Sequence, residues 1–401
     1  MGSKKTEEDK YIAARKRKAG RLSFLFRIMW LFPIKKKKVV FACYEGDGGY
    51  GCNPKYIADE MIRRKWDGEI VWLTHDVTRE FPAEIKVVKD TPGHTAFHLA
   101  TAQIWIDNYR KPYGTLKRKG QLYIQTWHAS FGFKAVGLYR GDKFPRIARL
   151  VSEWDSSLID YIISNSDYCD RVYPKKLLYS GPTLRVGTPR EDPLINRKEE
   201  DRITIRNKLG IGLDDYVILY APTFRGGTQK GKKKVQTENY SIDFSQVAET
   251  VTERFRKTCT ILLRLHPQLA ASQNLSVYER ANIKDASNLP DISEIMIGCD
   301  MVITDYSSCA FDAAFAGISV VLYADDMKEY TDNRGDLMWK REELPFDIAE
   351  DNESLRKIMQ GFDENQYLER VETFMKAHGV VEDGHASERV VDVMANVLLE
   401  E

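Results

Sequence analysis

Two short apolar runs, Met301–Thr304 and Ser319–Tyr323, bracket one helical stretch, Cys309–Ala316. Strands joined through a helix run parallel, because a hairpin turn suffices for antiparallel neighbours while parallel ones need a crossover of about a dozen residues or more. Runs this apolar are buried on both faces, which commits the chain to an α/β fold with covered sheets. The turn Asp305-Tyr306-Ser307-Ser308 follows the carboxyl end of the first run, where open α/β sheets bind ligands. Thr304 and Asp305 lead into it. Ser307 and Ser308 fall at a helix start, whose free N–H groups and positive end favour an anion. An ordinary serine N-cap would show the same residues.

The same alternation fills the rest of the chain. Val39–Cys43, Ile70–Leu73, Ile85–Val88, Ile104–Asp107, Leu122–Gln125 and Tyr161–Ser164 read as strands in the first half, Val217–Tyr220 and Thr260–Arg264 in the second. Helices are expected over Ile292–Gly298, Glu199–Gly210, Phe244–Thr258 and 353–377. A last helix opens after Asp383-Gly384, where Gly384 and Ser387 offer a second anion-binding helix start. A chain of 401 residues with 43% hydrophobic and 30% charged content fits two soluble globular domains. The expected boundaries are a basic arm over 1–37, a first domain over 38–195 and a second over 196–401, whose last helix could pack back on the first domain.

Histidines end one strand in each half. His128 follows Leu122–Gln125 and His266 follows Thr260–Arg264. An imidazole just past a strand end suits proton transfer near neutral pH, although a lone histidine is more often structural and its meaning depends on partners elsewhere. Lys134, six residues on, could meet an anion. Arg190, in the loop Gly187-Thr-Pro-Arg-Glu-Asp192, either binds phosphate or fixes the domain junction. Gly46 to Gly51 matches G-x-G-x-x-G, but Asn53 and Pro54 put the helix start after the last glycine, with Asn53 as its cap, so a loop lining a cleft explains the glycines better. Gly226 to Lys232 is one residue short of a P-loop, and Lys233 stands where a metal-binding Ser or Thr is required. It reads as an exposed basic loop.

Charge is unevenly spread. Residues 1–38 hold thirteen lysines or arginines against three acids, a net +10, so the remaining residues carry −9. Lys4–Arg21 reads as a basic helix, and Leu22–Phe32 continues it with Leu22, Leu25, Phe26 and Met29 on one face. Eleven residues cover about 16 Å, half of a bilayer core, so the segment cannot span. It reads as an in-plane anchor on an anionic leaflet, or as a helix packed on the protein's own core with a solvated collar of lysines. The six cysteines form no C-x-x-C pair, which fits a reducing compartment.

In order, the motifs Gln125-Thr-Trp-His128, Gly187-x-Pro-Arg-x-Asp192, Tyr220-Ala-Pro-Thr-x-Arg225, Arg264-Leu-His-Pro267, Ile303-Thr-Asp-Tyr-Ser-Ser308 and Asp383-Gly-x-Ala-Ser-Glu-Arg389 resemble the CDP-glycerol glycerophosphotransferases of wall teichoic acid synthesis. The resemblance covers about residues 38–395. It implies a GT-B-like fold, two Rossmann-like domains facing a central cleft. It also implies transfer of a polyol phosphate from a CDP-linked donor such as CDP-glycerol to a hydroxyl of an undecaprenyl-diphosphate-linked saccharide. The expected setting is peripheral, on the cytoplasmic face of the cell membrane against its anionic surface. Where the family continues its histidine motif with Gly-Thr-Pro and a lysine pair, this chain has Ala129-Ser130-Phe131-Gly132-Phe133-Lys134. In length it is nearer to members that add the first unit than to long polymerising ones.

On that resemblance, His128 is the base for the acceptor hydroxyl, and His266 meets the donor pyrophosphate and the leaving CMP. Arg225, Arg264, Thr304, Asp305, Ser307, Ser308, Gly384 and Ser387 are expected on the donor, Asn53, Lys134 and Arg190 on the acceptor or cleft loops. No Asp-x-Asp triplet occurs, so neither a metal-bridged nucleotide nor another cofactor is expected. No nucleic-acid partner is expected, and a homo-oligomer is open. The competing readings are a nucleotide-sugar glycosyltransferase on the same fold and a non-catalytic, membrane-bound CDP-polyol-binding protein.

Overall fold

The computed structural model describes residues 7–223, 241–265, 282–287, 289, 291–334 and 337–399. Arg225, the basic loop Gly226–Lys234 and His266 lie outside the described residues. The chain divides into two compact units. One holds the residues up to Ser130, Val136–Arg190 and the residues from His385 on; the other holds Phe131–Ala135 and Glu191–Gly384.

In the first unit, helix α1 (Glu7–Met29) precedes strand β1 (Lys35–Ala42), helix α2 (Cys52–Arg63), β2 (Ile70–Thr74), β3 (Ile85–Lys89), α3 (Pro92–Thr101), β4 (Ala102–Asp107) and β5 (Leu122–Gln125). Helix α4 (Arg146–Ser156), β6 (Tyr161–Ser164), α5 (Asp167–Lys176) and β7 (Thr183–Arg185) complete it. All neighbours pair parallel in the order β3-β2-β1-β4-β5-β6-β7. The order reverses direction beside β1 and β4, which puts a switch point at their carboxyl ends. The carboxy-terminal helix Ala386–Leu399 lies on α2, and its Val390, Val391 and Met394 share a core with Ile57, Ala58 and Met61.

The second unit builds a sheet of order β10-β9-β8-β11-β12-β13 from β8 (Tyr216–Ala221), β9 (Cys259–Leu263), β10 (Ile283–Asp285), β11 (Met301–Thr304), β12 (Ser319–Tyr323) and β13 (Asp347–Ala349). Every pair is again parallel. The α/β class, with two Rossmann-like units, is therefore as the sequence implies. Arg206, on the helix Glu199–Lys208, is only 1% exposed. Its guanidinium donates to the carbonyls of Gly298 (3.0 Å), Leu213 (2.7 Å) and Asp215 (2.8 Å) and to Asp300 Oδ2 (2.8 Å). Asp300 in turn accepts from Val217 N at the start of β8. Phe131 and Phe133, separated in sequence from the rest of this unit, sit among Phe311, Phe315, Trp339, Phe346 and Phe374.

The arm corrects one expectation. Of the apolar face read as a membrane anchor, Phe26 is fully buried, and Leu22, Leu25 and Met29 pack beside it on the core formed by Val40, Leu99 and Trp105. Ser23 Oγ donates to Gly114 O at 2.7 Å. Gly114, at φ +101°, permits this approach, because a Cβ there would fall 2.5 Å from Ala19 O. A hydrocarbon face this long gains more from a permanent core than from solvent, so the core-packed alternative holds. No helix among the described residues is long and apolar enough to cross a membrane.

Candidate functional site

Strands β4 and β5 end together, with Asp107 opposite Gln125. Beyond them the chains stay linked, since Thr126 N donates to Asp107 O at 2.8 Å. Trp127 then takes a left-handed conformation, φ +51°, and turns the chain so that His128 folds back over Asn108. His128 Nδ1 lies 2.9 Å from Asn108 O. A carbonyl can only accept, so Nδ1 carries the hydrogen and Nε2 keeps its lone pair. The ring is half-buried among Trp127, Tyr44 and Tyr109, at centroid distances of 4.4, 5.2 and 5.7 Å. Burial pushes the imidazole down to about 3. The bond to Asn108 opposes this, and the charges of Arg190, Lys176 and Arg110 add to it.

Side chains from α2, α5 and the loop 187–192 brace this segment. Asn53 is not the cap of α2: Gly51 is, and Asn53 lies inside the helix, 2% exposed. Its Nδ2 donates to Thr126 O (3.2 Å) and Trp127 O (3.0 Å), while its Oδ1 accepts from Arg190 N (3.0 Å). Arg190 Nη1 donates to His128 O. Lys176, the last residue of α5, donates to Ala129 O (3.0 Å) and Ser130 O (2.9 Å), and burial pushes its ammonium down to about 8. Asn53 and Arg190 therefore act on the histidine loop as braces; the cap reading of Asn53 fails because its amide is turned inward to three backbone groups.

The turn after β11 belongs to the second unit. The Thr304 hydroxyl is buried and donates to Ala221 O at 2.6 Å, so the structure uses it between strands rather than presenting it to a donor. Asp305 accepts from Thr223 N with both oxygens, at 2.9 and 3.0 Å, and so ties the ends of β8 and β11 together. Ser307 and Ser308 are half-buried. Ser308 is the N-cap residue of the helix Cys309–Phe315, yet its hydroxyl makes no capping bond. The Arg264 guanidinium donates to Ala286 O at 3.2 Å and to Leu289 O. Lys134 is exposed and bridges Leu337 within this unit. Gly384 closes the second unit, and its carbonyl accepts from Asn196 Nδ2 at 2.6 Å, whereas Ser387 lies in the first turn of the terminal helix.

Sequence reading missed Tyr44, Asn108 and Lys176. Tyr44, Glu45, Cys52 and Trp127 are all left-handed without being glycine. Such conformations persist only where surrounding bonds over-determine them, and they concentrate at functional loops. Tyr44 N is held by Asn108 Oδ1 at 2.8 Å, so one asparagine orders both the tyrosine turn and, through its carbonyl, the histidine. The glycines around Gly46 were the available signal, and they identified the loop but none of its partners.

The family model for CDP-glycerol:poly(glycerophosphate) glycerophosphotransferases matches residues 24–396. The chain belongs to this family. It is 29% identical over 374 residues to a teichoic acid poly(glycerol phosphate) polymerase of Staphylococcus epidermidis, with 90% of this chain and 51% of that protein covered. The chain thus spans about half the length of that relative. A polymerase of the same description from Bacillus spizizenii is 26% identical over 92% of this chain and 95% of its own length. Crystal structures of the wall teichoic acid polymerase TagF cover 99% of both chains, with a TM-score of 0.81 at 26% identity; one, a variant soaked with CDPG, gives 0.80 at 25%.

Proposed function

We propose that this glycerophosphotransferase-family chain moves glycerol phosphate from CDP-glycerol to a hydroxyl of an undecaprenyl-diphosphate-linked saccharide, with release of CMP, in teichoic acid synthesis. The observation that carries the reading is His128: a neutral imidazole with Nδ1–H fixed on Asn108 O and Nε2 left as a base. The acceptor hydroxyl gives its proton to Nε2 as its oxygen bonds to the donor's β-phosphorus, and the bond from that phosphorus to the bridging oxygen breaks to free CMP. A base pushed down to about 3 is weak. The negative charge of a bound donor offsets Arg190, Lys176 and Arg110 and raises its basicity when it is needed. In the second unit, the polar turn Asp305–Ser308 suits a pyrophosphate, and His266 is assigned to the leaving CMP. Alignment and charge stabilisation supply most of the rate in such transfers. The test is CMP release from CDP-glycerol and CDP-ribitol with lipid-linked disaccharide acceptors. UDP release from a nucleotide sugar, with no CMP from either donor, would replace this reading.

We also propose that the chain works against the cytoplasmic membrane surface, through the outer side of α1. Arg17, Arg21, Phe24 and Ile28 recur at helical spacing on that side, and Leu31 follows in the turn just past the helix, with Phe24 63% and Leu31 85% exposed. Cationic and apolar side chains together suit an anionic leaflet. Truncating the arm would also strip Phe26 from the core, so surface substitutions are the cleaner probe. Replacing Phe24 and Leu31 with serine is expected to weaken binding to anionic vesicles by about 2 kcal/mol, roughly thirtyfold, with the melting temperature unchanged. Equal co-sedimentation of variant and parent would remove this face from the proposal.

A further inference from the structure

Behind the histidine loop runs a chain of hydrogen bonds whose direction is fixed from one end. Asp155, on α4, is 3% exposed. Its Oδ1 accepts from Lys111 N at 2.8 Å and from Tyr123 Oη at 3.3 Å. Tyr123 Oη, having given its hydrogen to Asp155, accepts from Gln125 Nε2 at 2.8 Å. The second hydrogen of that amide goes to Tyr109 O at 2.9 Å. The amide is thereby oriented with Oε1 toward Trp127, whose N–H it accepts at 2.9 Å. Trp127 is the left-handed residue that aims His128, and Tyr109 follows the carbonyl that holds Nδ1.

We propose that Asp155 is a positioning residue for His128, acting through Tyr123 and Gln125 on the peptide groups that flank the imidazole. The inference rests on the assignment of His128 as base. Each link has one polarity. A carboxylate has no hydrogen to give, so Tyr123 must donate to it and must accept from Gln125. Without that acceptor the tyrosine hydroxyl is free to turn toward Gln125, and an amide that answers by flipping sets its NH₂ against the Trp127 N–H. Two donors cannot share a buried hydrogen bond, so the loop shifts. Burial, with Asp107 adding and Lys111 and Arg110 opposing, pushes the Asp155 carboxyl up to about 7, so it is ionised in mildly alkaline solution. The other groups on this network are Asp107, which binds Lys111 Nζ at 2.6 Å and Tyr109 N at 2.9 Å, and Arg110, whose guanidinium lies 4.8 Å over the Trp127 ring.

The experiment measures kcat and KM for CMP release from CDP-glycerol at pH 8, in Asp155→Ala, Asp155→Asn and Tyr123→Phe, each alone and combined with His128→Ala. Asp155→Ala and Tyr123→Phe are expected to lower kcat about tenfold to a hundredfold with KM for the donor unchanged, the scale of a small misplacement of a catalytic group. Asp155→Asn should recover kcat to within about threefold, because Lys111 N–H holds the asparagine oxygen where the carboxylate oxygen was. Over His128→Ala, neither damaging variant should add a further loss. If Asp155→Ala does not fold, Tyr123→Phe, which removes one hydroxyl, carries the test. Wild-type kcat in both damaging variants while His128→Ala is inactive would overturn the relay. So would an asparagine variant as impaired as the alanine one, since charge rather than acceptor geometry would then be at work. Full turnover by His128→Ala would instead overturn the base assignment itself.

Discussion

His128→Ala is expected to lower kcat by about 10²–10⁴-fold, the usual cost of a lost general base, while leaving the affinity for CDP-glycerol nearly intact. The imidazole contributes to proton transfer rather than to donor binding, and its loop is held by Asn53, Arg190 and Lys176 through backbone groups that the substitution leaves in place. Calorimetric titration with the donor separates the two effects. His266→Ala should behave differently and weaken donor binding together with turnover. A second readout concerns protonation. With the imidazole pushed down to about 3, it stays neutral across the neutral range, so a ¹⁵N-histidine spectrum should show one ring, absent in His128→Ala, that keeps its Nδ1–H form without titrating between about pH 5.5 and 8. Wild-type turnover in His128→Ala would remove His128 from the mechanism, whereas a ring titrating near its ordinary value would show only that burial does not hold it neutral.

Arg206→Ala should cost the second unit about 3–5 kcal/mol, because it leaves a half-buried carboxylate without one of its cations and several carbonyls without a donor. Asp300 keeps Arg202 at 2.6 Å, which restrains the loss without abolishing it. Lysine is expected to rescue little, since a compact ammonium lacks the planar fork that lets the guanidinium reach Gly298, Leu213, Asp215 and Asp300 together. Urea unfolding followed by fluorescence measures the effect. An unchanged midpoint in Arg206→Ala would show that these bonds are replaced by water at no cost.

The parts of the fold legible in the sequence were those carried by local apolar runs. The strands of both sheet centres follow from Val39–Cys43, Ile104–Asp107, Val217–Tyr220 and Met301–Thr304 because each run is buried on both faces. Strands β7, β10 and β13 went unread. Each has three residues and each is the edge of its sheet, where pairing comes from one neighbour and little apolar pattern is needed. At the site, His128 was legible from its place after a strand. Its partners were not, because Asn108 and Lys176 meet it or its loop across long stretches of sequence, through backbone atoms that leave no residue signature. The arm shows the same limit: the spacing of Leu22, Leu25, Phe26 and Met29 gives an apolar face, but not what the face lies against.

The chain crosses between its units after Ser130, Ala135, Arg190 and Gly384. A chimera made by one crossover near residue 190, meant to exchange the second half for a relative's, would therefore inherit a mismatched core inside the second unit. Phe131 and Phe133 would arrive from one parent, and Phe311, Trp339 and Phe374, against which they pack, from the other. Working hybrids need a mosaic in which residues 131–135 travel with the second half and the helix Ala386–Leu399 stays with the first. The same interlacing makes inheritance of the two halves all-or-none, since recombination at a single point damages the aromatic core of one unit or the α2-side core of the other.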